Sequence, residues 1–160
     1  MAYELPPEVY SPHLLESVIY DLEQYTDWYR QTRIQRKVGA AAASQPEPDH
    51  SAETELVIRN HFGSQTPTLE TLEGLLAELR ALKLPEIHVK LAAMPNHEQR
   101  RVLVSWFHTN ISSRALISFV ADRNLGGGIV IRTPNHVYDF TWKQQLMGGA
   151  SKLAGIIHRV

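Results

Sequence analysis

Three sets of residues in this chain have the types that chemistry uses: a run of glycines, a scatter of histidines, and two carboxylates beside the glycines. Gly126-Gly127-Gly128 invites comparison with a phosphate-binding loop. Such a loop offers backbone N–H groups where a helix starts after a strand. Here the glycines lead into the β-branched run Ile129-Val130-Ile131, and neither Gly-Lys-Ser/Thr nor Gly-x-Gly-x-x-Gly is present. No nucleotide is expected, and close backbone packing or a sheet bulge accounts for the glycines. The eight histidines raise the question of metal. His88, His97, His108, His136 and His158 are scattered without the spacing that puts two ligands on one helix face, and Asp49-His50 and Asn60-His61 lie in expected loops. Neither metal nor cofactor is expected. Asp122 and Asp139 flank the glycine-rich hairpin and are the only carboxylates there, so a pair across it would be the one place for acid–base work. Their structural roles are the simpler expectation: Asp122 holding N–H groups of the turn, Asp139 capping a final helix. With no cysteine and no Gly-x-Ser-x-Gly, thiolate chemistry is excluded and no serine nucleophile is marked.

The elements that would position these residues read in order. Ser11-Pro12 is a helix start, and Leu14 or Leu15, Val18, Ile19, Leu22, Tyr25 and Trp28 or Tyr29 repeat at helical spacing as far as Arg36-Lys37. That helix would be ~39 Å long at ~1.5 Å per residue, with an aromatic stripe in need of a partner. Residues 39–52, GAAAASQPEPDHSA, read as a flexible linker. Glu53 to Phe62 reads as a short helix stopped by Gly63, and Thr66-Pro67-Thr68 opens another with a stripe of Leu69, Leu72, Leu75, Leu76, Leu79 and Leu82. Ile87, Val89 and Leu91 alternate with His88 and Lys90 as a half-buried strand does. Pro95-Asn96 starts a helix expected to bury Val102, Leu103, Trp106, Phe107 and Ile111. Ala115–Ala121, Ile129–Ile131 and Val137–Phe140 read as strands, and from Trp142 a closing helix would turn Leu146, Leu153 and Ile156 or Ile157 inward. The fold class is α+β: an N-terminal helical segment (1–38), a flexible linker (39–52), a helical connection (53–84), and a compact domain (85–160) with one βαβ crossover, a hairpin and packed helices.

Composition sets the outer limits. At 160 residues and 43% hydrophobic content the chain can build a core, and its formal charge of -1 offers no basic field for nucleic acid. The first residues lack the layout of a secretory signal, and no stretch approaches the ~18 apolar residues of a membrane span.

The stretch Asp122-x-x-Leu125-x-Gly127-Gly128-Ile129-x-Ile131, followed by Asp139-x-Thr141 and Leu146, resembles the C-terminal signature of the delta subunit of F-type ATP synthases, the oligomycin-sensitivity-conferring protein family. The resemblance covers residues 70–160. It departs from the family pattern where Gly126 replaces an Ile, Thr141 a Ser, and Asn135 a turn Gly. The resemblance implies a non-catalytic subunit of the peripheral stalk, on the cytoplasmic side and peripheral to the membrane through the complex. It would link the catalytic head to the stalk and resist rotor torque. Its implied partners are the N-terminal segments of alpha subunits and the C-terminal helices of b subunits, with no nucleic acid and no nucleotide. The family's N-terminal bundle is larger than residues 1–84 can hold, where two or three helices are expected. Tyr25, Trp28 and Tyr29 on the first helix are the candidate partner-binding residues. Two other readings stay open: an adaptor of another rotary or export ATPase, and a small enzyme built on Asp122 and Asp139.

Overall fold

The computed structural model describes residues 5–38 and 46–144, with only the backbone at 36–38. Two compact units divide the chain between Lys83 and Leu84. The fold is α+β, helical first and built on a mixed sheet afterwards.

In the first unit, α1 (Pro12–Val38), α2 (Ala52–Phe62) and α3 (Leu69–Ala81) pack together, α1 meeting both others. Local chemistry starts each helix. Ser11 Oγ accepts the Leu14 N–H at 3.2 Å, Ser51 caps α2, and Thr68 caps α3 in a reciprocal box with Thr71. The buried row of α1 is Leu15, Val18, Leu22 and Thr26, at the i, i+3, i+4 spacing of one helix face, and the Thr26 hydroxyl is satisfied by Leu22 O at 2.7 Å. Opposite it lie Val57 of α2 and Leu72, Leu75, Leu76 and Leu79 of α3. Residues 53–84 are therefore not a connection between domains. Their leucine stripe needs an apolar partner, and α1 is that partner. The end of the expected linker is fixed too, because residues 50 and 51 bond to their surroundings; residues 39–45 lie outside the described set.

The second unit is a four-stranded sheet in the order β2-β1-β3-β4. Strand β1 (Glu86–Leu91) pairs in parallel with β2 (Leu116–Ala121) through the crossover helix α4 (His97–Asn110). Antiparallel β3 (Ile129–Arg132) lies on its other side and carries β4 (Val137–Asp139) as an edge. The register places Ile117, Ile87 or Val89, and Ile131 on one face, all buried with Val104 and Phe107 of α4. The opposite face holds Ser118, His88, Arg132 and Val137 in one row and Val120, Lys90, Val130 and Asp139 in the next. Strand β1 accordingly alternates exposed and buried residues.

One expectation fails here. Helix α4 buries Val104 and Phe107, while Val102 is 66% exposed, Trp106 50% and Ile111 exposed. Val102, Leu103 and Val104 are consecutive, so apolar residues point to several sides and periodicity cannot choose among them. Docking on the sheet chooses. Val104→Thr should cost about 1–2 kcal/mol by burying a hydroxyl without a designed partner. Val102→Thr should stay within about 0.5 kcal/mol. Urea midpoints of the two variants measure this directly; equal losses would contradict the observed face.

Candidate functional site

The glycine hairpin is built from backbone needs. After β2, Asp122 Oδ1 accepts the Asn124 N–H at 3.0 Å and caps a single 3-10 turn, Arg123–Leu125. Gly126 ends that turn at φ 63, a left-handed conformation in which a β-branched residue would be an outlier, so the Ile of the family pattern would not fit this turn as it stands. At Gly128, φ is 91, and an added Cβ would lie 2.4 Å from Phe140 O and 2.7 Å from the Thr141 Cα. Gly127 lies under the Trp142 ring, whose atoms a Cβ would meet at 3.3 Å. The glycines thus let the turn lie against the chain leaving β4. No helix follows them whose N-terminus could hold a phosphate; β3 does.

Asp139 Oδ1 accepts the Thr141 N–H at 2.9 Å, and hydrogen bonds from Thr141 hold its carboxyl below the ordinary value of 3.8, with Lys143 adding to the effect. Thr141 is buried, and its hydroxyl accepts from Gln144 N at the start of a last helical turn. Leu146 and the rest of the expected closing helix, including Leu153, Ile156 and Ile157, lie outside the described residues. Asp122 follows β2 and Asp139 ends β4, the two opposite edges of the sheet. Three strand spacings of about 4.8 Å put them on the order of 14 Å apart. Carboxylates that share acid–base work stand at about 5–9.5 Å. The hairpin pair is not formed: each carboxylate serves its own turn. Leu125, half-buried, closes the 3-10 turn through its N–H to Asp122 O at 3.1 Å.

Tyr25, Trp28 and Tyr29 are brought together. Spaced i, i+3 and i+4 on α1, they line a groove of about 260 Å³ with Thr32, Arg33 and Glu47. The Tyr25 and Trp28 rings lie 5.6 Å apart, and His50 meets Tyr25 edge-on at 5.6 Å. Burial first, then the charges of Glu47 and Tyr29, push the Tyr25 hydroxyl above its ordinary value of 10.0, so it stays a donor at neutral pH. Tyr20, also on α1, is 62% exposed and does not line the groove. Nothing in the sequence marks Glu47 as a wall of this groove, since it approaches from the stretch read as linker.

Beside the groove, Asp21 joins α1 to α2. Its Oδ2 accepts from Ser51 N at 3.0 Å, Ser51 Oγ at 2.8 Å and Thr54 Oγ1 at 2.8 Å. Burial works to raise the Asp21 pKa, but the Ser51 and Thr54 hydrogen bonds and the nearby His50 outweigh it and hold the carboxyl below 3.8. On the α3 side, Arg30 bridges Asp27 and Glu73 at 2.7 Å each, and Arg80 pairs with Glu23. These exposed pairs fix register more than they stabilise.

The overall charge conceals a division that follows the units. Residues 1–83 hold seven Lys and Arg against thirteen Asp and Glu, and residues 84–160 hold nine against four, giving -6 and +5. Five of the eight histidines are in the second unit. Among the described residues, no group of three or more His, Asp and Glu is arranged for a metal ion, and no helix is long and apolar enough to cross a membrane. Set against known proteins, the chain matches no family model and no curated sequence.

Proposed function

We propose that this protein is a delta-type subunit of the peripheral stalk of a rotary ATP synthase, a non-catalytic joint between the catalytic head and the b-subunit stalk. The observation that carries this reading is the setting of the signature residues. Asp122, Asp139 and Thr141 each accept a backbone N–H, and Gly127 and Gly128 leave room for the chain after β4, in a strand, turn, hairpin and helix-start order like the one expected from the resemblance. The division into two units supports it further, because a joint needs two attachments. The aromatic groove on α1 would take the head, its rings supplying large rigid contact area and Arg33 and Glu47 fixing polar ends of the ligand. The mixed-sheet unit would take the stalk. In such a joint, torque is borne by packed surfaces and no bond is made or broken. The protein would then lie on the cytoplasmic face of the membrane, held there by the complex.

The test is a double variant, Tyr25→Ala with Trp28→Ala, captured by affinity tag from gently solubilised membranes. Recovery of alpha subunits should fall at least about tenfold, the size expected when aromatic anchors of an interface are truncated. The variant's thermal unfolding should still show the second unit intact. Undiminished recovery of alpha subunits would remove the α1 groove as the attachment to the head.

A further inference from the structure

The apolar rows of the sheet run out into solvent at β4. One cross-strand row on the α4 side passes from Phe119 through Val89 and Ile131 to Tyr138. Val89 is fully buried and Ile131 is 7% exposed, but Tyr138 on the edge strand is 44% exposed. The next row ends the same way: Ile129 is half-buried, and Phe140, whose N–H it accepts, is 49% exposed. The rings of His136, Tyr138 and Phe140 follow each other along the strand, their centroids 6.0 and 6.4 Å apart and their planes close to parallel. Backbone is left over as well. His136 O accepts from Thr133 N and Ile129 O from Phe140 N, each at 2.9 Å, so residues 136, 138 and 140 turn their backbone groups to β3. The alternation points the N–H and C=O of Val137 and Asp139 outward, and among the described residues nothing pairs with them.

We infer that the free edge of β4 docks an extended segment of a partner protein, with apolar side chains at alternate positions, as a fifth strand. The edge itself specifies this occupant. Outward N–H and C=O groups two residues apart are matched by the backbone of another strand at about 4.8 Å. A helix cannot match them, because its own backbone groups are already bonded. A strand at that distance also continues the two rows, so its alternate side chains cover Tyr138 and Phe140. A nucleic-acid strand is a poorer match, since residues 136–142 hold no lysine or arginine and include Asp139. A bilayer is poorer too, because hydrocarbon offers the outward backbone groups no partner. So is a second copy: antiparallel pairing about Tyr138 sets the Asp139 of each chain against the Val137 of the other.

This inference goes beyond the stalk reading and does not depend on it. The test uses the full chain, labelled with 15N, and a capped seven-residue peptide of alternating valine and threonine. Its control is the same peptide with proline at the third and fourth positions, which removes a pairing donor from each of its edges. With the valine peptide, amide exchange at Val137 and Asp139 should slow at least about tenfold, and more than at Tyr138, which already faces β3. The proline peptide should bind at least about tenfold more weakly. Val137→Pro removes an outward donor, leaves the β3 ladder its bonds, and should weaken the valine peptide by about the same factor. Tyr138→Thr with Phe140→Thr keeps every backbone group and should weaken it too; this variant decides the matter if Val137→Pro does not fold. Equal binding of the two peptides overturns the inference, as do shifts confined to β2, α4 or the α1 groove. Unchanged Val137 and Asp139 amides at about 1 mM peptide overturn it as well. So do amides at these positions already protected in the free protein, or protected by raising protein concentration alone. Tighter binding of oligouridine or of phosphatidylglycerol vesicles than of the valine peptide also overturns it.

Discussion

Gly128→Ala should destabilise the second unit by at least about 3 kcal/mol, enough to unfold it partly at physiological temperature. Two effects add. A residue with a Cβ at φ 91 is strained by about 1–3 kcal/mol on its own. The new carbon would also stand 2.4 Å from Phe140 O and 2.7 Å from the Thr141 Cα. Both are backbone atoms, so no side chain can swing aside; the chain beyond β4 must move off the turn. That movement would break the Phe140 N–H bond to Ile129 O and expose Thr141. Gly74→Ala is the control of opposite sign. Gly74 is exposed within α3 with nothing near its added carbon, so alanine there should stabilise by about 0.5–1 kcal/mol. Urea unfolding of the two variants decides the matter. Equal effects of the two alanines would mean that the hairpin packing is not as described.

Asp21→Ala should cost the first unit about 3 kcal/mol at neutral pH. The carboxylate is the common acceptor for two hydroxyls and one N–H at the junction of α1 and α2, and Thr54 is fully buried, so removal strips three donors of their shared charged acceptor and leaves the Thr54 hydroxyl only Ser51 Oγ, 2.8 Å away. The pH dependence has a definite sign. Asp21 has a folded pKa below 3.8, so its contribution is fully present above the ordinary carboxylate range and is lost as pH falls through the lowered folded value. The gap between wild type and variant should therefore be constant from about pH 7 to 5 and narrow only below about pH 4. Trp28 reports the first unit once Trp106 and Trp142 are replaced by phenylalanine, since the chain has three tryptophans. A gap that instead closes between pH 7 and 5 would contradict a lowered Asp21 pKa as the source of the stabilisation.

What could be read from the sequence was mostly local. Helix starts at Ser11, Thr68 and Asn96 are legible because capping needs only a side-chain oxygen and an N–H within three residues. The alternation in Ile87, Val89 and their neighbours gives β1 and its two faces, and the aromatic triple on α1 follows from helical spacing alone. Long-range matters were hidden. Asp21 and Ser51 are thirty residues apart, and only assembly of α1 on α2 shows that they meet. The side of α4 that faces the sheet is undetermined by three consecutive apolar residues. Asp122 and Asp139 are near each other along the hairpin yet end on opposite edges, because β1 inserts between β2 and β3. The division of charge between the units escaped because a total of -1 averages an acidic unit with a basic one.

The stalk reading is tested most directly by capturing the tagged wild-type protein from gently solubilised membranes and identifying what comes with it by mass spectrometry. Alpha, beta and b subunits of an ATP synthase recovered together, in constant proportion to the bait, is the predicted result. The protein recovered alone, or with alpha, beta and b absent among its companions, would contradict it.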